Sequence, residues 1–145
     1  LTQLSTKVNR IDIKINLDDT LPSISADPNQ IKQVLLNLIQ NAIQAMPEGG
    51  ELTLESQQEE CDGKKGATIF VIDTGHGIPE KGQERIFDPF YTTRPVGSGT
   101  GLGLSVSYGI VMDHEGQIDF SSKEGEGSCF SIWLPAADGD GGQND

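Results

Sequence analysis

Four short clusters in this chain hold residue types that could do chemistry. Asn37 and Asn41 stand four apart in a stretch whose apolar residues recur at helical spacing. At roughly 100° per residue they project from one side of a helix, and Gln44 shares that flank. Amide oxygens suit a hard cation whose charge phosphates already balance, although ordinary surface amides look the same. Asp73 ends the most apolar run in the chain, where a carboxylate needs a partner. An acceptor at a strand's end can take a hydrogen bond from an exocyclic amine such as adenine's. Gly75 and Gly77 behind it let backbone approach a flat ring, and a plain turn would also use them. Gly99-Thr100-Gly101-Leu102-Gly103 leads into a helix, whose bare N–H groups suit phosphate. A flexible glycine linker would read equally well. Phe87 to Arg94 places three aromatics, the hydroxyls of Thr92 and Thr93, and a cation just before that cradle. Arg85 and Arg94 are scarce positive charges and candidate phosphate ligands.

Elements must hold these clusters in place. Ile11, Ile13, Ile15 and Leu17 alternate with polar residues, which predicts a half-buried strand. Leu21–Ala26 reads as a short second strand at an edge. Asp27-Pro28 is an N-cap followed by proline at the first helical position. The periodic run Ile31, Val34, Leu35, Leu38, Ala42, Ala45 then predicts a helix through Met46, ended by Pro47-Glu48-Gly49-Gly50. Leu52 and Leu54 alternate as a strand, Asp62–Gly66 reads as a hairpin turn, and Ala67–Ile72 reads as a strand buried on both faces. Residues 80–87 suggest a short helix. Leu102–Asp113 is apolar all round and predicts a buried helix. Gln117–Ser122 and Ser128–Leu134 are strands joined by Gly125-Glu126-Gly127. Residues 1–10 read as the end of a linker and 136–145 as a disordered tail.

Composition narrows the class. The 145 residues fit one domain. Asp and Glu number 22 against 10 Lys and Arg, a net charge of −12, which disfavours nucleic acid and anionic membrane surfaces as partners. Cys61 and Cys129 make no disulfide framework and read as free thiols in a reducing compartment. His76 and His114 stand alone, so no Cys/His metal cluster is present. No apolar run nears the ~20 residues of a membrane span, and a cytoplasmic domain is expected. A chain that starts at Leu1 reads as a piece of something longer. Of 18 glycines, those at 75, 77, 97, 99, 101 and 103 fall in or between the glycine clusters. The glycine run is neither a Rossmann fingerprint, because Val106 stands where a glycine is needed, nor a Walker loop.

In chain order, Asn37-Leu-Ile-Gln-Asn41-Ala42, Asp73-Thr-Gly75-His-Gly77-Ile78-Pro, Arg85-Ile-Phe87-Asp-Pro-Phe90-Tyr-Thr92-Thr93-Arg94 and Gly99-Thr100-Gly101-Leu102-Gly103-Leu104-Ser105 resemble the N box, first glycine box, F box and second glycine box of the catalytic ATP-binding domain of bacterial sensor histidine kinases. The Phe-Tyr-Thr-Thr-Arg spelling looks most like the nitrogen-regulator type. The closing Gly125-Glu-Gly127-Ser128-Cys-Phe130-Ser-Ile132-Trp-Leu134-Pro135 resembles the family's last strand, so residues 11–135 would be the domain. The resemblance implies an α+β, two-layer α/β sandwich, a mixed five-stranded sheet with three helices on one face. It implies ATP and Mg²⁺. Asn41 would coordinate the metal, Asn37 place the phosphates, and Asp73 accept from the adenine amine with Gly77 beside the ring. Gly99, Gly101, Leu102 and Gly103 would wrap the phosphates. Gly75, Ile78, Arg85, Phe87, Thr92, Thr93, Thr100 and Leu104 would line the nucleotide, and residues 88–99 would form a lid. Arg94 falls where the family has a basic residue near the terminal phosphates. Ser128 replaces the usual Thr near the base, keeping the hydroxyl and dropping the methyl. Gln44 departs from relatives that carry Lys there.

The reaction implied is transfer of the ATP γ-phosphoryl to a histidine. The family's acceptor lies on a preceding helix, and neither His76 nor His114-Glu115-Gly116 resembles it. The resemblance therefore implies phosphoacceptor and dimerisation helices of the parent as partner, a response regulator reached through the parent, and a monomer for the isolated domain. Membrane attachment of the parent is left open. Hydrolases of the same superfamily carry Glu at the position of Asn37, as a base for water. They remain an alternative, as do a Ser/Thr kinase of the anti-sigma type and a degenerate binding domain.

Overall fold

In this computed structural model residues 10–87 and 103–137 are described. They form β1 (Ile11–Asn16), α1 (Pro28–Gln44), β2 (Gly50–Cys61), β3 (Lys64–Asp73), a 3-10 turn (Glu80–Arg85), α2 (Gly103–Asp113), β4 (Gln117–Lys123) and β5 (Gly127–Pro135). The strands make one sheet in the order β1-β2-β3-β5-β4. β1 and β2 run parallel and the other neighbours antiparallel, so the sheet is mixed. A parallel pair needs a crossover, and α1 supplies it.

The register shows why helices cover one side. Ile15, Leu54, Val71, Phe130 and Phe120 lie in one cross-strand row, and Ile69, Ile132 and Ile118 in another two residues along. Period-two alternation puts both rows on the same face. Val34, Leu38 and Ala42 of α1 and Val111 of α2 join Leu52, Val71, Phe130, Ile132 and Leu134 in one buried cluster. The expected α+β sandwich is the observed fold.

α1 begins as its sequence dictates. Asp27 is the N-cap and accepts the Asn29 N–H at 2.9 Å, with Pro28 next. Its far end is tied to the loop that follows β3.

Several elements differ from expectation. Leu21–Ala26 makes no strand, only the bridge Ile24↔Ala136. The stretch lacks alternation beyond two residues and contains Pro22, which has no N–H to donate. The β2–β3 hairpin is longer than its apolar core suggests, because backbone pairing continues through the polar Gln57–Cys61 to a two-residue turn at Asp62-Gly63. Residues 80–85 are a 3-10 turn, so the third helix is not α-helical. β3 is not buried throughout on both faces: Ile69 on the helix side and Phe70 and Ile72 on the other are half-buried. α2 is not buried all round. Ser107 and Val111 are buried, while Val106, Tyr108 and Met112 are 45%, 43% and 46% exposed. It packs on α1 and β4 along one side, and an all-round apolar helix cannot say which side that is. Cys61 and Cys129 are both free thiols, as expected. Residues 1–9 of the expected linker and 138–145 of the expected tail lie outside the described residues.

Leu38 lies in the buried core at 1% exposure, whereas Leu36 is 47% exposed on the same helix. Leu38→Ala should cost about 2–5 kcal/mol of unfolding free energy in urea titration, and Leu36→Ala less than about 0.5 kcal/mol.

Candidate functional site

Asp73 is the last residue of β3 and is 5% exposed. Its cross-strand partners are Leu52 and Ser128, and Ser128 in turn lies opposite Ser122. Directly paired residues share a face. A carboxylate and two hydroxyls thus form a polar row at the end of the apolar, helix-covered side. Asp73 Oδ1 accepts the Gly75 N–H at 2.8 Å. Ser122 Oγ and Ser128 Oγ are 2.8 Å apart. Burial pushes the Asp73 carboxyl above the usual aspartate range. Hydrogen bonds from the Gly75 and Ser128 backbone, and the charge of His76, pull it down by less.

The segment after Asp73 folds between α1 and the β4–β5 turn. A Cβ at Gly75 would collide with the Ala45 carbonyl oxygen at the end of α1, so only hydrogen fits there. The His76 N–H donates to that same carbonyl at 3.1 Å. Gly77 has φ +75°, and a Cβ there would strike the Lys123 carbonyl. The Gly125 N–H donates to the His76 carbonyl at 2.7 Å, and the Ile78 N–H to Ser122 Oγ at 2.8 Å. The two glycines therefore serve close approach of backbone to backbone, which brings the polar row, the α1 terminus and this loop together.

α1 meets the start of α2 through Asn37. Its Nδ2 donates to the Gly103 carbonyl and to Ser107 Oγ, each at 3.2 Å, and its Oδ1 accepts from Gln33 at 2.9 Å. Ser107 Oγ, fully buried, donates to the Gly103 carbonyl at 2.8 Å. Asn37 thus pins the N-terminus of α2, the end that carries the second glycine cluster. Asn41 follows one turn later, half-buried, and Gln44 is exposed. Leu104 and Ile78 pack on the core cluster. Phe87 contacts the Tyr108 ring at 5.4 Å and the Phe120 ring at 6.0 Å between centroids, which anchors the chain leading into the F-box stretch. Arg85 ends the 3-10 turn on the surface.

Asn37, Asn41, Asp73, Gly75, Gly77, Ile78, Gly103, Leu104 and Ser128 therefore lie on the helix-covered side of the sheet, along the C-terminal half of α1 and the loop at its end. Thr92, Thr93, Arg94, Gly99, Thr100, Gly101 and Leu102, and the expected lid at 88–99, lie outside the described residues. Among the described residues no group of His, Cys, Asp and Glu could hold a metal by itself. Both histidines have local roles. His114 Nδ1 donates to the Ile110 carbonyl at 2.8 Å while its Nε2 accepts the Asp27 N–H at 3.1 Å. His76 Nδ1 lies 2.8 Å from the Gly77 carbonyl. Sequence reading passed over Ser107 and Ser122. Ser107 carries a weak signal, since a helical Ser four residues after a carbonyl often bonds back to it. Ser122 carries none toward this loop, because Ile78 and Gln83 are 44 and 39 residues away in the chain.

Residues 26–138 match the family described as Histidine kinase-, DNA gyrase B-, and HSP90-like ATPase. The chain belongs to this family. It is 43% identical over 125 residues to the sensor histidine kinase ZraS of Escherichia coli K12, covering 86% of the chain and 26% of ZraS. It thus spans about a quarter of the length of that relative. The catalytic domain of histidine kinase ThkA superposes with a TM-score of 0.77 at 36% identity, covering 92% of this chain and 84% of that one. ThkA in complex with response regulator protein TrrA superposes at 0.72 with 33% identity, covering 93% and 37%. Full-length ShkA in complex with AMPPNP gives 0.76 at 28% identity, covering 92% and 28%. The family's relatives of this chain are thus sensor histidine kinases, and their catalytic domains share its fold.

The raised Asp73 carboxyl makes a signed prediction. The folded chain holds this proton more tightly than the unfolded chain. The stability it contributes is present below the ordinary aspartate range and is lost as pH rises through the raised folded value. Asp73→Asn, which keeps an oxygen for the Gly75 N–H, should raise the urea midpoint of the ligand-free chain at pH 7. That gain over the unsubstituted chain should shrink as pH falls to 4. A gain independent of pH would show that the buried charge is not its cause.

Proposed function

We propose that this chain binds Mg-ATP beside α1 and donates the γ-phosphoryl group to a histidine on a separate helical segment of a parent sensor kinase. The observation that carries this is the buried Asp73 carboxylate at the end of β3, with a glycine loop folded beside it. On the same side of the sheet, Asn37 of α1 holds the start of α2, and Asn41 follows it one helical turn later. A buried acceptor fits the exocyclic amine of adenine and rejects a carbonyl at that position. Burial makes this discrimination steep, because an unpaired buried carboxylate is costly. The relatives named above are kinases, and ShkA was captured with AMPPNP, an ATP analogue, which supports ATP as the nucleotide.

In this reading the phosphates lie at the N-terminus of α2, which Asn37 holds against α1. The donor set on α1 is made of neutral amides, which fits Mg²⁺ that arrives with the phosphates and not a metal held by protein alone. Asn41 would hold it, and the metal would neutralise charge on the transferring group. Arg85 and Arg94 would add positive charge to an otherwise acidic domain. An imidazole nitrogen of the acceptor attacks the γ-phosphorus, the bond to the β,γ-bridging oxygen breaks, and ADP leaves. Both ring nitrogens of His114 are hydrogen-bonded, and His76 sits in the glycine loop beside Asp73, which supports an acceptor elsewhere. Residues 11–135 would form the domain, monomeric by itself and on the cytoplasmic side. A response regulator would be reached through the parent, as the ThkA–TrrA complex suggests. Asn37 has no proton-accepting group, so water activation of the gyrase type has no base at this position.

Titration of the chain with ATP should show saturable binding that depends on Mg²⁺. Asp73→Ala should weaken it about tenfold or more, and Asn41→Ala should remove the Mg²⁺ dependence. Mixing with Mg-ATP and a helical, histidine-bearing fragment of the parent should yield an acid-labile phosphate on that fragment. No saturable binding would overturn the reading. Steady ATP hydrolysis lost in Asn37→Ala would favour a hydrolase.

A further inference from the structure

Ile78 follows the first glycine cluster and is held by its backbone from both sides. Its N–H donates to Ser122 Oγ of β4 at 2.8 Å. Its carbonyl accepts from Gln83 Nε2 of the 3-10 turn at 3.0 Å, and the same amide donates to the Ser122 carbonyl at 3.2 Å. Gln83 and Ser122 thereby close a ring of hydrogen bonds around one residue of the loop. All three are half-buried.

Ser122 also continues the polar row that starts at Asp73. Its hydroxyl has one hydrogen. One lone pair is taken by the Ile78 N–H, and the hydrogen goes either to the Gly127 carbonyl at 3.2 Å or to Ser128 Oγ at 2.8 Å. In the first case Ser128 must donate to Ser122 to complete their contact. In the second the Ser128 hydrogen is released to point elsewhere, toward a ligand at Asp73. The state of Ser122 thus sets whether Ser128 offers a donor at the base edge, and the same atom fixes the height of the loop over that edge.

We infer that Ser122 and Gln83 are positioning residues for base recognition: they clamp Ile78 and so fix both the loop and the Ser128 hydroxyl relative to Asp73. This rests on the nucleotide reading above. The clamp touches the base side of the site only. Among the described residues the α2 N-terminus is held by a different pair, Asn37 and Ser107. Loss of the clamp should therefore weaken recognition of the base and spare the phosphate end.

The test uses the full 145-residue chain and displacement of a fluorescent ATP analogue by Mg-ATP, by adenosine and by Mg-tripolyphosphate. Ser122→Ala strands the Ile78 N–H, and should raise the dissociation constants of Mg-ATP and adenosine about tenfold while leaving tripolyphosphate within about twofold. Ser122→Thr keeps the hydroxyl and should stay within about threefold of the unsubstituted chain for every ligand. Gln83→Ala should act in the same direction as Ser122→Ala. The double variant should lose less than the product of the two, because both act through Ile78. In the ligand-free chain, amide exchange at Ile78 should speed up about tenfold or more in Ser122→Ala. Unchanged Mg-ATP binding in Ser122→Ala overturns the inference alone, as does an equal loss for adenosine and tripolyphosphate, which would mean a general structural role. An unsubstituted chain that binds none of the three ligands overturns the nucleotide reading and this inference with it.

Discussion

The arrangement depends on placing one carboxylate inside an apolar layer. Asp73 continues the alternation that puts Ile69 and Val71 on the helix-covered face. Its side chain therefore enters the same layer as the core, and the chain must supply polar partners there. It does so with the Gly75 N–H directly behind Asp73 and with serines at the paired positions of β5 and β4. Burial still raises the carboxyl above its ordinary range, and these partners offset only part of that. A site that spends stability on an aimed acceptor is common where ligands are recognised.

Everything near that row is organised by close backbone approach. Gly75 sits on the carbonyl that ends α1, and Gly77 on the carbonyl that ends β4. Bulkier residues would push the loop off the sheet and uncover the carboxylate. α1 takes part twice, with its C-terminal carbonyl under the loop and with Asn37 against Gly103 and Ser107. One helix thereby connects the first glycine cluster with Gly103, 26 residues beyond Gly77 in the chain. Leu38 and Ala42, interleaved with Asn37 and Asn41, seat that helix on the sheet. The packing stripe and the amide flank are two sides of the same periodic pattern.

Much of this was legible in the sequence where the signal is local. The N-cap Asp27 with Pro28, the amphipathic stripe of α1, the strand ending at Asp73 and the β4–β5 hairpin are all set by residues within a few positions of one another. The order of the four boxes made the family legible too. Signals failed where one residue type serves several outcomes. Leu21–Ala26 has strand-forming residues and still makes a single bridge. Leu102–Asp113 is apolar on all sides, and nothing in its pattern says that Val106 and Met112 face outward while Ser107 is buried.

The sequence by itself determined the chemical inventory: two amides one helical turn apart, a carboxylate closing an apolar strand, glycines where backbone crowds, and an acidic balance that leaves few cations for a polyanion. These follow from short-range periodicity and from residue type. Only the tertiary structure decided which groups meet. Ser122 bonds Ile78 across 44 residues of chain, and Asn37 bonds Ser107 across 70. Such contacts depend on sheet order and strand register. Those are settled by burying one apolar face against two helices, a global condition that no local pattern encodes.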